Sequence, residues 1–295
     1  MANLGVMVAL AGRGELVLLD RLSHASIIDG ALLSGARFKR YPHSDAAAAE
    51  RMLNECPDEA TVVATDGVFS MDGDIAPLRE LAKSAAERKA WLVVDDAHGI
   101  GVLGNTGRGS LEHCGVTGDE VPVLIGTLGK AFGSFGAFVA GSRDLIEFLV
   151  QKARPYIYTT ALPQPVAAAT RKALEIAQRE PWRRERVLAL TARFRKAARD
   201  AGITLLDSNT PIQPVMVGSS ERALRAQHQL FEAGFRVVAI RAPTVLRGSE
   251  RLRVTISAAH TEQQVDTLVD KLSQLSTRGE LSTQGELRSA GQLHS

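Results

Sequence analysis

Short β-rich runs alternate with helix-patterned segments through the first half of this chain, and that alternation restricts the fold more than any other feature. The runs "TVVAT" (61–65), "WLVVD" (91–95) and "PVLIGT" (122–127) are apolar along most of their length. A strand with one wet face alternates, whereas a strand buried on both faces reads as a continuous apolar run. Between them, "AAAAERMLNEC" (46–56) and "PLRELAKSAAERK" (77–89) carry helical patterning, and Pro77 suits a first helical turn. Strands separated by helices imply an α/β fold: a mainly parallel sheet with helices on both faces. "GAFVAG" (136–141) follows the third run by too short a link for a parallel crossover, so that strand is expected to run antiparallel.

The pattern changes after about Thr160. "PVAAATRKALEIAQRE" and "PWRRERVLALTARFRKAARDAG" read as two long helices joined near Pro181. The strand "IQPVMVG", the helix "RALRAQHQLFEAG", the strands "FRVVAI" and "RLRVTIS", and the helix "EQQVDTLVDKLSQLS" follow. We expect a large domain over 1–177, a smaller α+β domain over 178–276, and a disordered polar tail over 277–295, in which "GEL" occurs twice without apolar periodicity.

Bulk properties remove several function classes. A formal charge of +2 gives no reason to expect nucleic acid or an acidic partner. No apolar run reaches the roughly 18 residues of a membrane span, and the apolar patch near the N-terminus has no basic region before it, so it is a poor signal peptide. Cys56 and Cys114 are far apart and in no metal-ligand spacing, which fits a reducing cytoplasm.

The chemistry concentrates at strand ends. In "VVDDAHGIGVLGNTGRGS" (93–110) Asp95 ends an apolar strand and His98 follows; Lys130 follows another, inside the glycine-rich "GTLGKAFG". Ligands of open α/β sheets bind at the carboxyl ends of the strands, so a carboxylate, an imidazole and an amine would share one crevice. Each alone is better explained as a satisfied polar loop residue; together they point to a site. "GIGVLG" matches the dinucleotide fingerprint literally but is followed by turn chemistry rather than a helix, so that reading is rejected. A zinc reading from Asp95, Asp96, His98, His113 and Cys114 fits no common ligand spacing.

Pyridoxal 5'-phosphate (PLP) asks for such a group. Its aldehyde needs a neutral amine, and an unperturbed lysine near pKa ~10.4 must be lowered by desolvation or nearby positive charge. Its ring nitrogen must keep a proton, which a buried carboxylate such as Asp95 can hold there. The ring hydroxyl can use a donor such as His98, and His24, in "DRLSHAS", offers an aromatic face.

At this point "DRLSHASIIDG", "TDGVFSMDGD", "VVDDAHGIGVLG", "GTLGKAFG", "ARPYIYTTALP", "AIRAPTV" and "RLRVTISAAH", in that order, resemble the α-oxoamine synthases, a branch of the fold-type I PLP enzymes. The resemblance runs from about Ala2 to about Ser276. It implies that Lys130 joins the cofactor and then exchanges protons at the substrate α-carbon, that Asp95 partners the ring nitrogen, that His98 meets the ring oxygen and that His24 stacks on the ring and positions substrate. Ser70 and Thr127 match further cofactor-contacting positions. Thr159 and Thr160 match positions that approach the phosphate in a neighbouring subunit, implying a homodimer with its active site at the interface. Thr244 matches a substrate-contacting position, and Arg253 resembles the arginine that grips the amino-acid carboxylate, a task suited to its bidentate fork.

Within the branch the resemblance is strongest to the members that condense L-alanine with a pimeloyl thioester, carried on CoA or a carrier protein, on the route to biotin. The implied reaction loses CO2 and the free thiol. A sister activity joining glycine to acetyl-CoA shares "FSMDGDIAPL" and "GTLGKA", and a non-catalytic fragment is the other alternative. Family members carry a segment ahead of the residue corresponding to Met1, including a glycine–aromatic pair that binds the cofactor phosphate. The 295-residue chain is therefore expected to bind PLP weakly and to turn over slowly.

Overall fold

The computed structural model describes residues 1–56 and 60–282. They form two compact units: Met1–Phe69 with Ile75–Pro181, and Ser70–Asp74 with Trp182 onward.

The first unit runs α1 (Ala2–Leu10), β1 (Leu16–Asp20), α2 (Ala25–Ser34), β2 (Arg37–Tyr41), α3 (Ala46–Glu55), β3 (Ala60–Asp66), α4 (Leu78–Glu87), β4 (Trp91–Asp95), α5 (Ser110–Cys114), β5 (Val123–Thr127), β6 (Ala137–Ala140), α6 (Arg143–Lys152), α7 (Arg154–Ile157) and α8 (Gln164–Arg179). Its sheet has the order β2-β1-β3-β4-β5-β6. The first five strands are parallel, and β6 returns antiparallel to β5, as the short link requires.

Both faces of the sheet are covered, which explains the apolar runs. Leu16, Leu18, Val63, Leu92 and Val94 point into one core with Leu53, Leu78 and Leu81 of α3 and α4. Val17, Leu19, Val62, Val93, Val123 and Ile125 point into the other with Val6 and Met7 of α1, Ile27 of α2 and Leu145 and Leu149 of α6. Helix ends follow local chemistry: Asp45 accepts the Ala48 N–H at 2.8 Å to open α3, Ser142 opens α6, and Gly35, in the left-handed region at φ 76°, closes α2.

The second unit comprises α9 (Trp182–Asp200), β7 (Ile212–Met216), α10 (Ser220–Glu232), β8 (Val238–Ile240), β9 (Arg251–Thr255) and α11 (Glu262–Thr277). Its three-stranded antiparallel sheet has the order β7-β9-β8, and α11 opens with a Thr261/Gln264 capping box.

Three expectations need correction. The units divide at Pro181/Trp182 rather than at 177/178, because α8 continues to Arg179. The segment Ser70–Asp74 belongs with the second unit, held there by Ser208 and Thr210 hydroxyls donating to the Gly73 carbonyl at 2.8 and 2.9 Å and by an Arg251–Asp72 ion pair at 2.7 Å. The start of the expected disordered tail is ordered: Leu281 and Ser282 are buried, Ser282 N–H donates to Met216 O, and Glu280 pairs with Arg225. The rest of that tail, 283–295, lies outside the described residues.

Candidate active site

The carboxyl edge of the first unit's sheet collects acidic and hydroxyl side chains. In sheet order, β1, β3, β4 and β5 end in Asp20, Asp66, Asp95 and Thr127. Asp20 is satisfied locally, accepting the Leu22 and Ser44 N–H groups and pairing with His43. Asp66 and Asp95 are direct partners in the β3–β4 register, so two buried carboxylates lie side by side.

Asp95 accepts the Ala97 N–H at 3.0 Å and the Asn3 amide at 2.6 Å, both neutral donors. Asp66 accepts the His24 N–H at 2.8 Å. Burial first, and then the charge of Asp95, push the Asp66 carboxyl well above the usual carboxylate range, while the His24 N–H and the Lys130 ammonium pull it back. Such a pair is under-compensated for positive charge.

Lys130 stands in the turn between β5 and β6. That turn is braced by Gly133 N–H to Lys130 O (3.0 Å), Ser134 N–H to Leu128 O (2.8 Å) and Leu128 N–H to Gly136 O (2.9 Å). Its glycines serve close approaches: a Cβ at Gly126 would enter the Phe138 ring, and one at Gly101, in the neighbouring loop, would lie 2.7 Å from the Ala131 Cβ. Thr127 donates to Gly136 O and accepts the Gly129 N–H, both at 3.2 Å. The expected burial of Lys130 between apolar strands is not found; the side chain is exposed, and its charge acts on Asp66 instead.

The glycine-rich stretch after β4 wraps Asp96. This carboxylate accepts the Ser110 N–H at 2.8 Å. A Cβ at Gly67, Gly99 or Gly109 would collide with it. Burial above all raises its pKa to about 7, against the lowering pull of the Ser110 hydrogen bonds. Of the literal dinucleotide match, only Gly99 faces this acid; Gly101 meets Ala131 and Gly104 meets Glu112. His98 sits half-buried in the same turn. Among the described residues, the five side chains of the zinc alternative do not converge as three ligands.

His24 caps α2 from the β1–α2 loop: its Nδ1 accepts the Ser26 N–H at 3.3 Å and lies 2.7 Å from Ser26 Oγ. Asn3 Nδ2 donates to Ser26 Oγ at 2.8 Å as well as to Asp95. Lys130, Asp95 and His24 therefore meet through Asp66 and Asn3. Thr159 and Thr160, exposed after α7, take no part in these hydrogen bonds.

In the second unit Ser70 is half-buried in the segment joined to it, and Thr244 is exposed in the turn after Arg241. Arg253 lies on the central strand β9. Its Nε is buried without a hydrogen-bond partner, burial lowers the guanidinium's pKa, and it makes no ion pair among the described residues. A strand-edge salt bridge is therefore not its role.

Sequence reading missed Asp66, Asn3 and Ser26. Asp66 carried the same signal as Asp95, an acid ending an apolar strand. Asn3 carried only the oddity of one amide in the apolar run that became α1.

The aminotransferase class I and II family matches residues 1–272. An 8-amino-7-oxononanoate synthase of Methylococcus capsulatus is 59% identical over 92% of this chain and 70% of its own length. One of Cellvibrio japonicus is 57% identical over 93% and 69%. Among solved structures, a serine palmitoyltransferase holding PLP as an internal aldimine superposes with a TM-score of 0.90 at 32% identity, covering 94% of this chain and 70% of that one. An 8-amino-7-oxononanoate synthase from Francisella tularensis gives 0.82 at 31% identity, covering 94% and 80%. Among the described residues no helix is long and apolar enough to cross a membrane.

Proposed function

The chain belongs to the aminotransferase class I and II family, among the 8-amino-7-oxononanoate synthases, and from that premise we propose how its residues carry out the PLP-dependent, decarboxylative condensation of L-alanine with a pimeloyl thioester. The products are 8-amino-7-oxononanoate, CO2 and the free thiol. The observation that carries the reading is the buried pair Asp66–Asp95 at the sheet edge, bonded by neutral donors and acted on by Lys130.

That group fits the cofactor. A protonated ring nitrogen supplies the positive charge Asp95 lacks, and the lysine offers an amine for the aldehyde. Bound there, PLP supplies an electron sink for the pair left on the amino-acid α-carbon when its proton departs.

The remaining work belongs to the chain. Asp95 would keep the proton on the ring nitrogen, its carboxyl group held in place by the Asn3 amide and the Ala97 N–H. Lys130 Nζ would hold the cofactor through its aldehyde and would take and return the proton at the α-carbon. His24 would cover one face of the ring and orient substrate, His98 would meet the ring oxygen, and Ser70 and Thr127 would position the cofactor. Arg253 grips the alanine carboxylate, for which its partly desolvated, unpaired guanidinium is suited, and Thr244 contacts substrate. These roles are mostly orientation and electrostatics.

A second copy of the chain completes the assembly in this reading. Phe135, Tyr156, Tyr158, Leu162 and Leu174 are exposed, and the amphipathic helix α8 buries none of its residues. Thr159 and Thr160, in the same stretch, would reach the phosphate held by the partner. A cytoplasmic location accords with the two free cysteines.

Borohydride treatment of the protein mixed with PLP, followed by peptide mapping, should label Lys130. Incubation with alanine or glycine, each with a pimeloyl or an acetyl thioester, should give turnover chiefly with alanine and the pimeloyl donor. A label elsewhere, or preference for glycine and the acetyl donor, would overturn the assignment.

A further inference from the structure

Asp95 ends β4 and His24 lies in the β1–α2 loop, yet one side chain joins them. Asn3 Nδ2 donates to Asp95 Oδ2 at 2.6 Å and to Ser26 Oγ at 2.8 Å, and Ser26 Oγ lies 2.7 Å from His24 Nδ1. The amide nitrogen has two hydrogens and accepts nothing, so Asn3 uses both. The Ser26 backbone N–H, which can only donate, points at Nδ1 at 3.3 Å and makes that nitrogen an acceptor. The Ser26 hydroxyl, accepting from Asn3, then turns its one hydrogen to the same nitrogen, and the proton of the neutral ring lies on Nε2.

Asp95 is fixed in the same way. The Asn3 amide donates to one of its oxygens and the Ala97 N–H to the other, so the plane of the carboxyl group is held from both sides. Reversing the amide would aim Oδ1 at an anion. As it stands, Asn3 Oδ1 is buried without a partner, and the side chain is only 6% exposed. The helix that carries it is pressed close to α2: a Cβ at Gly30 would lie 2.8 Å from the Met7 Cβ and 3.3 Å from the Asn3 carbonyl oxygen. The amide is therefore held in place by packing as well as by hydrogen bonds.

We infer that Asn3 is a positioning residue for this reaction, its one carboxamide holding the Asp95 carboxyl group toward the ring nitrogen and, through Ser26, holding His24 as the Nε2–H tautomer toward the substrate. The inference rests on the roles of Asp95 and His24 given above. It makes the pair a unit: the group that stabilises charge on the cofactor and the group that lies over its face are oriented by the same atom.

The test is nitrogen-15 NMR of histidine-labelled protein without cofactor, with PLP affinity measured in parallel. His24 should appear as the Nε2–H tautomer in the parent protein and in Ser26→Thr, which keeps the hydroxyl. It should spread over both tautomers in Ser26→Ala and in Asn3→Ala. Asn3→Ala should also weaken PLP binding by about tenfold, and Ser26→Ala by less, because only Asn3 touches Asp95. An unmoved tautomer in Ser26→Ala overturns the inference, as does equal weakening of PLP binding in the two alanine variants. If Asn3→Ala does not fold, the Ser26→Ala and Ser26→Thr pair, at a half-buried position, decides the tautomer question. Borohydride labelling separates the two levels: no label at Lys130 in the parent protein overturns the functional reading itself, whereas a label there with an unmoved tautomer overturns only the role of Asn3.

Discussion

Two adjacent strand ends meet opposite physical demands. At the end of β4 the charges are buried and hydrogen-bonded: Asp95 is held by Asn3 and Ala97, and Asp96 is collared by glycines that leave no room for a Cβ. At the end of β5 the backbone is just as firmly braced, but the charge itself, on Lys130, is exposed. In the proposed reaction the difference suits what each group would have to do. A carboxylate that polarises a ring works by staying put, and burial strengthens its field. An amine that bonds, lets go and shuttles a proton must move at its tip while its anchor stays fixed.

The comparison can be broken most sharply at Lys130. Lys130→Ala should lower turnover on the order of 10³-fold or more and abolish the borohydride label, yet leave stability within about 0.5 kcal/mol, as for an exposed site. A large loss of melting temperature would mean that the β5 end is as dependent on its charge as the β4 end.

The next effect is a pH dependence of stability arising at β4. Asp96 ionises near 3.8 when unfolded and near about 7 when folded. Between those values the unfolded chain binds fewer protons at this group, so its contribution to stability is greatest below about 4 and is lost as pH rises through about 7. Buried Asp66, also shifted upward, acts with the same sign. Asp96 alone should contribute a decline on the order of 4 kcal/mol, visible in denaturant unfolding at a series of pH values. Asp96→Asn should flatten the profile over that window; an unchanged profile would remove the buried acid from the comparison.

The smallest effect sharpens the contrast in packing. Gly99→Ala drives a methyl into Asp96 and should cost about 2 kcal/mol, whereas at Gly129, in the Lys130 turn, an added Cβ finds its nearest neighbour at an ordinary 3.6 Å. Gly129→Ala should therefore be close to neutral in the same denaturation experiment. Equal costs would contradict the difference described here.

Much of the first unit was legible because burial on both faces imprints itself on sequence. β3, β4 and β5 announced themselves as apolar runs, and the short link to β6 dictated its direction. β2, by contrast, is "RFKRY", an edge strand with three exposed residues, and edges carry no apolar signal. The attachment of Ser70–Asp74 to the second unit was illegible for a related reason: it depends on Ser208, Thr210 and Arg251, distant in sequence and unremarkable in type. Within the site, strand-end logic found Asp95 and Lys130 but was not carried to Asp66, where it applied equally. Asn3 was invisible because its importance comes from both its amide hydrogens being used at once, which only geometry reveals.

The bracing of the Lys130 turn has a further consequence. Thr127 pairs with Ala137 across the two antiparallel strands, and the stretch between them is cross-linked by its own backbone. Residue types along that stretch can drift wherever no neighbour crowds them, but its count cannot. One inserted or deleted residue would shift the ladder and swing the reactive nitrogen away from the carboxylates, so homologous chains should tolerate spelling changes here far better than changes of length.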